Sequence, residues 1–143
     1  MTDEPRRDRS AVGPIRIVGD DLARERCEAC TGATPRIGPD EARELAAALD
    51  EGWRIGEHAI EREFTSKSFN AAFGLATRVA LLAESQGHHP AMQIGWGRLV
   101  VRFTTHAING LSRNDFVMAA MVDRIARVGG DSSRPGGDPA GIQ

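Results

Sequence analysis

Residues 65–87 read TSKSFNAAFGLATRVALLAESQG, and no other stretch constrains the fold as tightly. Phe69, Phe73, Ala76, Ala80 and Ala83 recur at spacings of 4, 3, 4 and 3, the period of an α-helix rather than the alternation of a strand. Ala72, Leu75, Val79 and Leu82 form a second apolar stripe beside them. A helix apolar over so wide an arc is buried on more than one side. One side is expected to pack on a sheet and the other on a partner subunit. Gly87 stands where a helix-stopping C′ glycine belongs.

Working toward the N-terminus, WRIGEHAIEREF (53–64) has strand alternation in its second half, with Ile60, Arg62 and Phe64 on one side. Gly56 marks the turn between two short strands. Before it, GPDEARELAAALD (38–50) places Pro39 in a first helical turn, acids after it, and Leu45 and Leu49 at helical spacing. Toward the C-terminus, AMQIGW (91–96) and RLVVRFTTH (98–106) are two strand-like runs joined through Gly95 and Gly97. His106 is expected to end the second run. LSRNDFVMAAMVDRIARV (111–128) then reads as a final helix, with Ser112 and Asp115 as a capping box. The order is α-β-β-α-β-β-α. It predicts an α+β fold, with a four-stranded, mostly antiparallel sheet and three helices packed on one face.

The domain should occupy residues 37–128. Residues 1–20 are charged and turn-rich, 21–36 form a partly ordered lead-in, and 129–143 are a glycine- and proline-rich disordered tail. No apolar run approaches the ~20 residues of a membrane span, and MTDEPRRDRS lacks a secretory signal's apolar stretch, so the cytoplasm is the default compartment. A net charge of −2, with acids and bases interleaved, argues against direct nucleic-acid binding. The two cysteines, Cys27 and Cys30, stand in a single CEAC. A zinc site would need a second pair, and a redox motif a βαβ context. Two reduced thiols on an extension is the simpler account.

The four histidines fall in different contexts. His58 sits beside a predicted turn among charged residues and is expected at the surface. His88 and His89 follow the long helix in LAESQGHHP (82–90), with Glu84 four residues before His88. Pro90 biases His89 toward an extended backbone, so the two rings point apart and share one metal ion poorly. A carboxylate on the last helical turn can fix a tautomer and raise imidazole basicity. From these residues alone, a neutral-pH acid/base cleft and a structural arrangement both stand open.

Glu84-x₃-His88-His89-Pro90, then Trp96, His106 and Asp115, resembles the signature of the pterin-4a-carbinolamine dehydratases. SFNAAFGLATRVALLAE (68–84) resembles that family's long helix and GLSRNDF (110–116) its last helix start. Trp53 is similar to its tryptophan before the first strand, and coverage is about residues 38–128. The resemblance implies loss of water from 4a-hydroxytetrahydropterin to give quinonoid dihydropterin, without metal or other cofactor. It implies His88 and His89 in proton transfer and pterin contact, Glu84 orienting the pair, and His106 near the leaving hydroxyl or the ring. It also implies Trp53 as a pocket wall, with Thr104, Thr105 and the backbone at Gly87 and Ala107 as lining. Asp115 matches the signature but is also explained by capping, which is the account adopted. The position after His106 is often acidic in the family and is alanine here, which removes one polar contact.

A homodimer or homotetramer is expected from the wide apolar arc. The alternative to catalysis is a non-catalytic interaction protein on the same fold, with a protein client. Relatives of that kind act as a dimerisation cofactor or in assembly of the carboxylase RuBisCO. Intact His88, His89, His106 and Trp53 favour the enzyme.

Overall fold

A computed structural model describes residues 19–129; of the expected tails 1–20 and 129–143, residues 1–18 and 130–143 lie outside the described residues, while Gly19 and Asp20 begin a helix and Gly129 ends one. The elements are α1 (Gly19–Arg24), α2 (Pro39–Ala47), β1 (Arg54–Ile55), β2 (Ile60–Thr65), α3 (Phe69–Gln86), β3 (Ala91–Gly95), β4 (Arg98–Phe103), a 3₁₀ turn (His106–Ile108) and α4 (Arg113–Gly129). Strand order is β1-β2-β4-β3, and every neighbouring pair is antiparallel. Leu99, Val101 and Phe103 alternate along β4 and carry the helix-facing side of the sheet into the core with Ile60. The opposite face is mostly polar, with Arg98 donating to Glu63 at 2.9 Å and Arg54 paired to Glu61, and Val100 is the β4 residue buried on that side. That is the one-sided burial of an antiparallel sheet covered by helices on one face only.

The turns form where local chemistry requires them. Gly97 closes the β3–β4 hairpin at φ 67°, and a Cβ there would meet the Ser66 carbonyl oxygen at 2.7 Å. Ser68 caps α3, its hydroxyl accepting the Ala71 N–H at 3.1 Å. At the other end of α3, Gly87 takes the left-handed conformation at φ 65°. The His88 N–H then donates to the Ala83 carbonyl and the Gly87 N–H to the Glu84 carbonyl, both at 3.3 Å. These two bonds form a Schellman motif, which sets the direction in which the chain leaves the helix.

Three features differ from the pattern-based expectation. First, α1 precedes the elements read from the sequence. Its Leu22 is fully buried and joins the main core, and α1 packs on α4. Burial of one such leucine contributes about 1.5–3 kcal/mol toward holding a six-residue helix that would not persist alone.

Second, the buried face of α3 runs through Ala72, Ala76, Val79 and Ala83, with Leu75 and Leu82 packed at its margin. Phe69 and Phe73, placed in the same stripe as Ala76 and Ala83, are 48% and 53% exposed and stack on one another. On a helical wheel the apolar arc is continuous, so spacing alone does not show where the sheet's cover ends.

Third, β4 stops at Phe103, and His106 lies in the turn beyond it. Thr105 and Gly110 form an antiparallel bridge that pinches off residues 106–109 as a tight loop. Asn109 completes it in the left-handed region at φ 45°, where asparagine is among the better tolerated side chains.

Candidate active site

A cleft of ≈ 370 Å³ opens where the end of α3, the start of β3 and the 104–107 turn converge. Cys30, Gly87, His88, His89, Pro90, Thr104, Thr105, His106 and Ala107 line it, together with Ala91. Grooves of ≈ 460 and ≈ 470 Å³ lie elsewhere, around α2 and the lead-in, but no histidine lines either one. The smaller cleft is therefore the one that gathers imidazoles.

The Schellman turn and Pro90 separate the two adjacent histidines. His88 is 7% exposed, and its ring stacks on Phe103 with centroids 6.2 Å apart. His88 Nε2 lies 2.7 Å from Asp115 Oδ1, and Asp115 is fully buried. The Asp115 carboxylate also accepts the Thr105 hydroxyl at 2.8 Å and the Ser112 backbone N–H at 2.9 Å. The Ser112 and Thr105 hydroxyls are themselves 2.7 Å apart. Asp115 thus caps α4 and holds His88 at once, so capping alone is too narrow an account of it. The capping box is only half made, because the Ser112 hydroxyl is turned to Thr105 and not to an N–H of the helix. A buried carboxylate with three donors is well satisfied; one with fewer would carry a large desolvation cost.

His89 faces outward, and its Nε2 lies 2.7 Å from Glu84 Oε2, with both side chains largely exposed. Glu84 therefore holds His89 alone, and the expectation that it orients both histidines is corrected: Asp115 holds the other. Divergence of the two rings follows from the extended backbone between them. His106 reaches the same cleft from the 3₁₀ turn. The Thr104 hydroxyl donates to the His58 carbonyl, and His58 Nδ1 to the Asn109 carbonyl at 2.9 Å, which ties the 104–110 loop to the β1–β2 turn. His58 is exposed, as expected from its sequence context.

Trp53 is not in this cleft. Its Nε1 donates to Asp123 Oδ1 at 2.8 Å, and Asp123 also accepts Arg62 at 2.6 Å and the Asp50 N–H at 2.9 Å. Burial pushes the Asp123 carboxyl above its ordinary range, against the lowering effect of these donors. The indole is used to join β1 to α4, and its ring leans on Phe103 with centroids 6.3 Å apart. A pocket-wall role for Trp53 within this chain is corrected accordingly.

The CEAC segment is clamped across the site. Glu28 N–H donates to Asn114 Oδ1 at 3.1 Å, Asn114 Nδ2 returns a bond to the Glu28 carbonyl at 2.6 Å, and Cys27 N–H donates to Gln86 Oε1 at 3.0 Å. Both cysteines are free thiols. Burial, helped by the nearby Cys30, Asp115 and Glu25, pushes the Cys27 thiol up to about 12, so it is neither nucleophile nor ready metal ligand at neutral pH. Among the described residues, no group of three or more His, Cys, Asp or Glu side chains is arranged to hold a metal ion.

Arg113 grips the start of the segment through two bonds to Glu25, at 2.7 and 2.9 Å. These bonds hold the Glu25 carboxyl below its ordinary range. A carboxyl lowered in the folded state stabilises above its unfolded pKa and loses that contribution as pH falls through the folded one. Acidification from about pH 6 to about pH 3 should therefore loosen the clamp. Amide exchange at Cys27 and Glu28, normalised for intrinsic rate, is expected to lose protection over that range. Unchanged protection would show that the Glu25–Arg113 pair does not hold the segment.

Comparison with known proteins converges on one family. The family model described as Pterin 4 alpha carbinolamine dehydratase matches residues 35–125. A protein of Gloeobacter violaceus bearing that family's name is 45% identical over 109 residues, covering 73% of this chain and 93% of its own length. One of Nitrosomonas eutropha, also bearing the name, is 38% identical over 105 residues, covering 73% and 93%. A crystal structure described as a transcriptional coactivator/pterin dehydratase from Brucella melitensis superposes with a TM-score of 0.60 at 37% identity, over 64% of this chain and 99% of that one. Among the described residues, no helix is long and apolar enough to cross a membrane.

Proposed function

The chain belongs to the pterin-4a-carbinolamine dehydratase family, and from that footing we propose how its own residues remove water from 4a-hydroxytetrahydropterin. The observation that carries the proposal is the convergence of His88, His89 and His106 on one cleft, with the first two each held by a separate carboxylate. Hydroxide leaves poorly, so the 4a oxygen must be protonated as the C4a–O bond breaks. The N5 proton must also be removed so that the C4a=N5 bond can form. Imidazole serves both steps near neutral pH, each contributing on the order of 10²–10⁴.

His89 and His106 are the outward-facing imidazoles and take the proton-transfer roles, with Glu84 fixing the His89 ring. His88 is too enclosed to swing. It contacts the pterin from a position set by Asp115 and Phe103, and Thr104, Thr105, Gly87 and Ala107 line the remainder. The unit that does this is residues 37–128, with α1 and the CEAC segment laid across it and the cytoplasm as its expected compartment. A dehydratase assay on freshly generated 4a-hydroxytetrahydropterin tests the proposal. Acceleration over spontaneous water loss is expected, and a rate equal to the spontaneous one would sink it.

The same footing assigns the exposed apolar residues to self-association. Phe69, Phe73, Ile94 and Trp96 are all at least 42% exposed. They lie on α3, on β3 and at the adjoining turn, elements that pack side by side. The β3 strand is at the edge of the sheet, with one row of backbone groups unpaired among the described residues. A second copy covers aromatic surface and strand edge together, giving a homodimer or a homotetramer. Light scattering at micromolar concentration should return at least twice the monomer mass, and Phe73→Asp should lower it. A monomeric wild type would leave the patch for a protein client, the interaction role on this fold.

A further inference from the structure

We propose that Cys30 is a positioning residue of the cleft, holding one ring nitrogen of His88 while Asp115 holds the other. The kinetic part of this inference rests on the dehydratase function; the contact itself does not. An ionised Asp115 only accepts hydrogen bonds, so it requires the proton on His88 Nε2 and leaves Nδ1 as a lone pair in the neutral ring. The group facing that nitrogen is Cys30 Sγ, at 3.8 Å.

The sulfur is itself held in place. Asn114 Nδ2 donates to Cys30 Sγ at 3.1 Å, which leaves the S–H as the donor still to be directed. Two acceptors lie at 3.8 Å, His88 Nδ1 and the Glu28 carbonyl, and the Glu28 carbonyl already takes the Asn114 amide. Nδ1 is therefore the acceptor without another partner among these bonds, and the thiol hydrogen turns to it. Asn114 and Asp115 are consecutive at the start of α4, so one helical turn fixes both partners of the imidazole. Cys27 does not share this role: its Sγ faces the Asn114 carbonyl at 3.9 Å. Cys30 also lies outside the stretch matched by the family model, which begins at residue 35.

Long-range ¹H–¹⁵N correlation of the imidazoles, run beside the kinetics, tests the assignment. In Cys30→Ala the Nδ1 resonance of His88 should move while Nε2, still on Asp115, stays in place. The same variant should lose about tenfold in kcat with KM little changed, as expected for a displaced ring. Cys30→Ser should recover part of that loss by supplying a hydroxyl donor, and Cys27→Ala should leave Nδ1 where it is. An unmoved Nδ1 in Cys30→Ala, or a moved one with undiminished kcat, would overturn the positioning role. An inactive wild type would refute the dehydratase instead, and the Nδ1 resonance would still decide the contact.

Discussion

His89→Ala is expected to lose at least ~10² in dehydratase rate, about 2.7 kcal/mol of transition-state stabilisation. Folding stability should move by no more than about 0.5 kcal/mol, because the replaced ring is a largely exposed surface group. The contrast between the two readouts is what makes the variant informative. Among the described residues His89 is held by Glu84 alone, and that pair lies at the surface, where such pairs are worth about 0–1 kcal/mol. Rate loss without stability loss therefore assigns the imidazole to chemistry. A variant within threefold of wild type would remove His89 from proton transfer and leave His106 as the remaining outward-facing imidazole.

Asp115→Ala should behave in the opposite way, costing about 3–5 kcal/mol of stability along with activity. The carboxylate is fully buried and accepts from His88, Thr105 and Ser112, so truncation strands three polar groups together. Urea denaturation with the slope held constant measures this directly. Asp115→Asn keeps the shape but presents an amide donor to either Thr105 or His88 Nε2, so it should recover only part of the loss. A shift in Asp115→Ala below about 1 kcal/mol would mean that water replaces the carboxylate, and that the network does not hold His88.

Much of the fold was legible because its signals are local. The period of residues 69–86 set α3, and the alternation at 98–103 set β4. Glycines at 87 and 97 occupy positive φ, as their positions in the pattern require. The α1 helix was not legible: six residues with Leu22 as their fully buried anchor carry too little period, and their stability comes from α4. The division of the α3 surface was not legible either. Phe69 and Ala72 are equally apolar as letters, and only the position of the sheet decides which one it covers.

The candidate site divides along the same line. Glu84, His88, His89 and His106 stood out by residue type and position, Asp115 entered through the family resemblance and as a helix cap, and four of the five meet as neighbours in carboxylate–imidazole pairs. Which carboxylate holds which imidazole was not available from spacing. Glu84 stands four residues from His88, yet the Schellman turn swings His88 inward and presents His89 instead. Trp53 was misplaced for a related reason, since its partner Asp123 is 70 residues away. A histidine near a cysteine 58 residues earlier gives no periodic signal at all.

By itself, then, the sequence determined the elements from α2 to α4, their order and the stop at Gly87, and it singled out the imidazoles that proton transfer would need. Those depend on φ/ψ preference and on burial averaged over a few neighbouring residues, which the string of letters carries. The tertiary structure decided the pairing of His88 with Asp115 and His89 with Glu84, the use of Trp53 as a tie to α4, and the approach of Cys30 to His88. Hydrogen bonds form or fail over less than an ångström, and such distances between separate elements are set only when helices and sheet pack together.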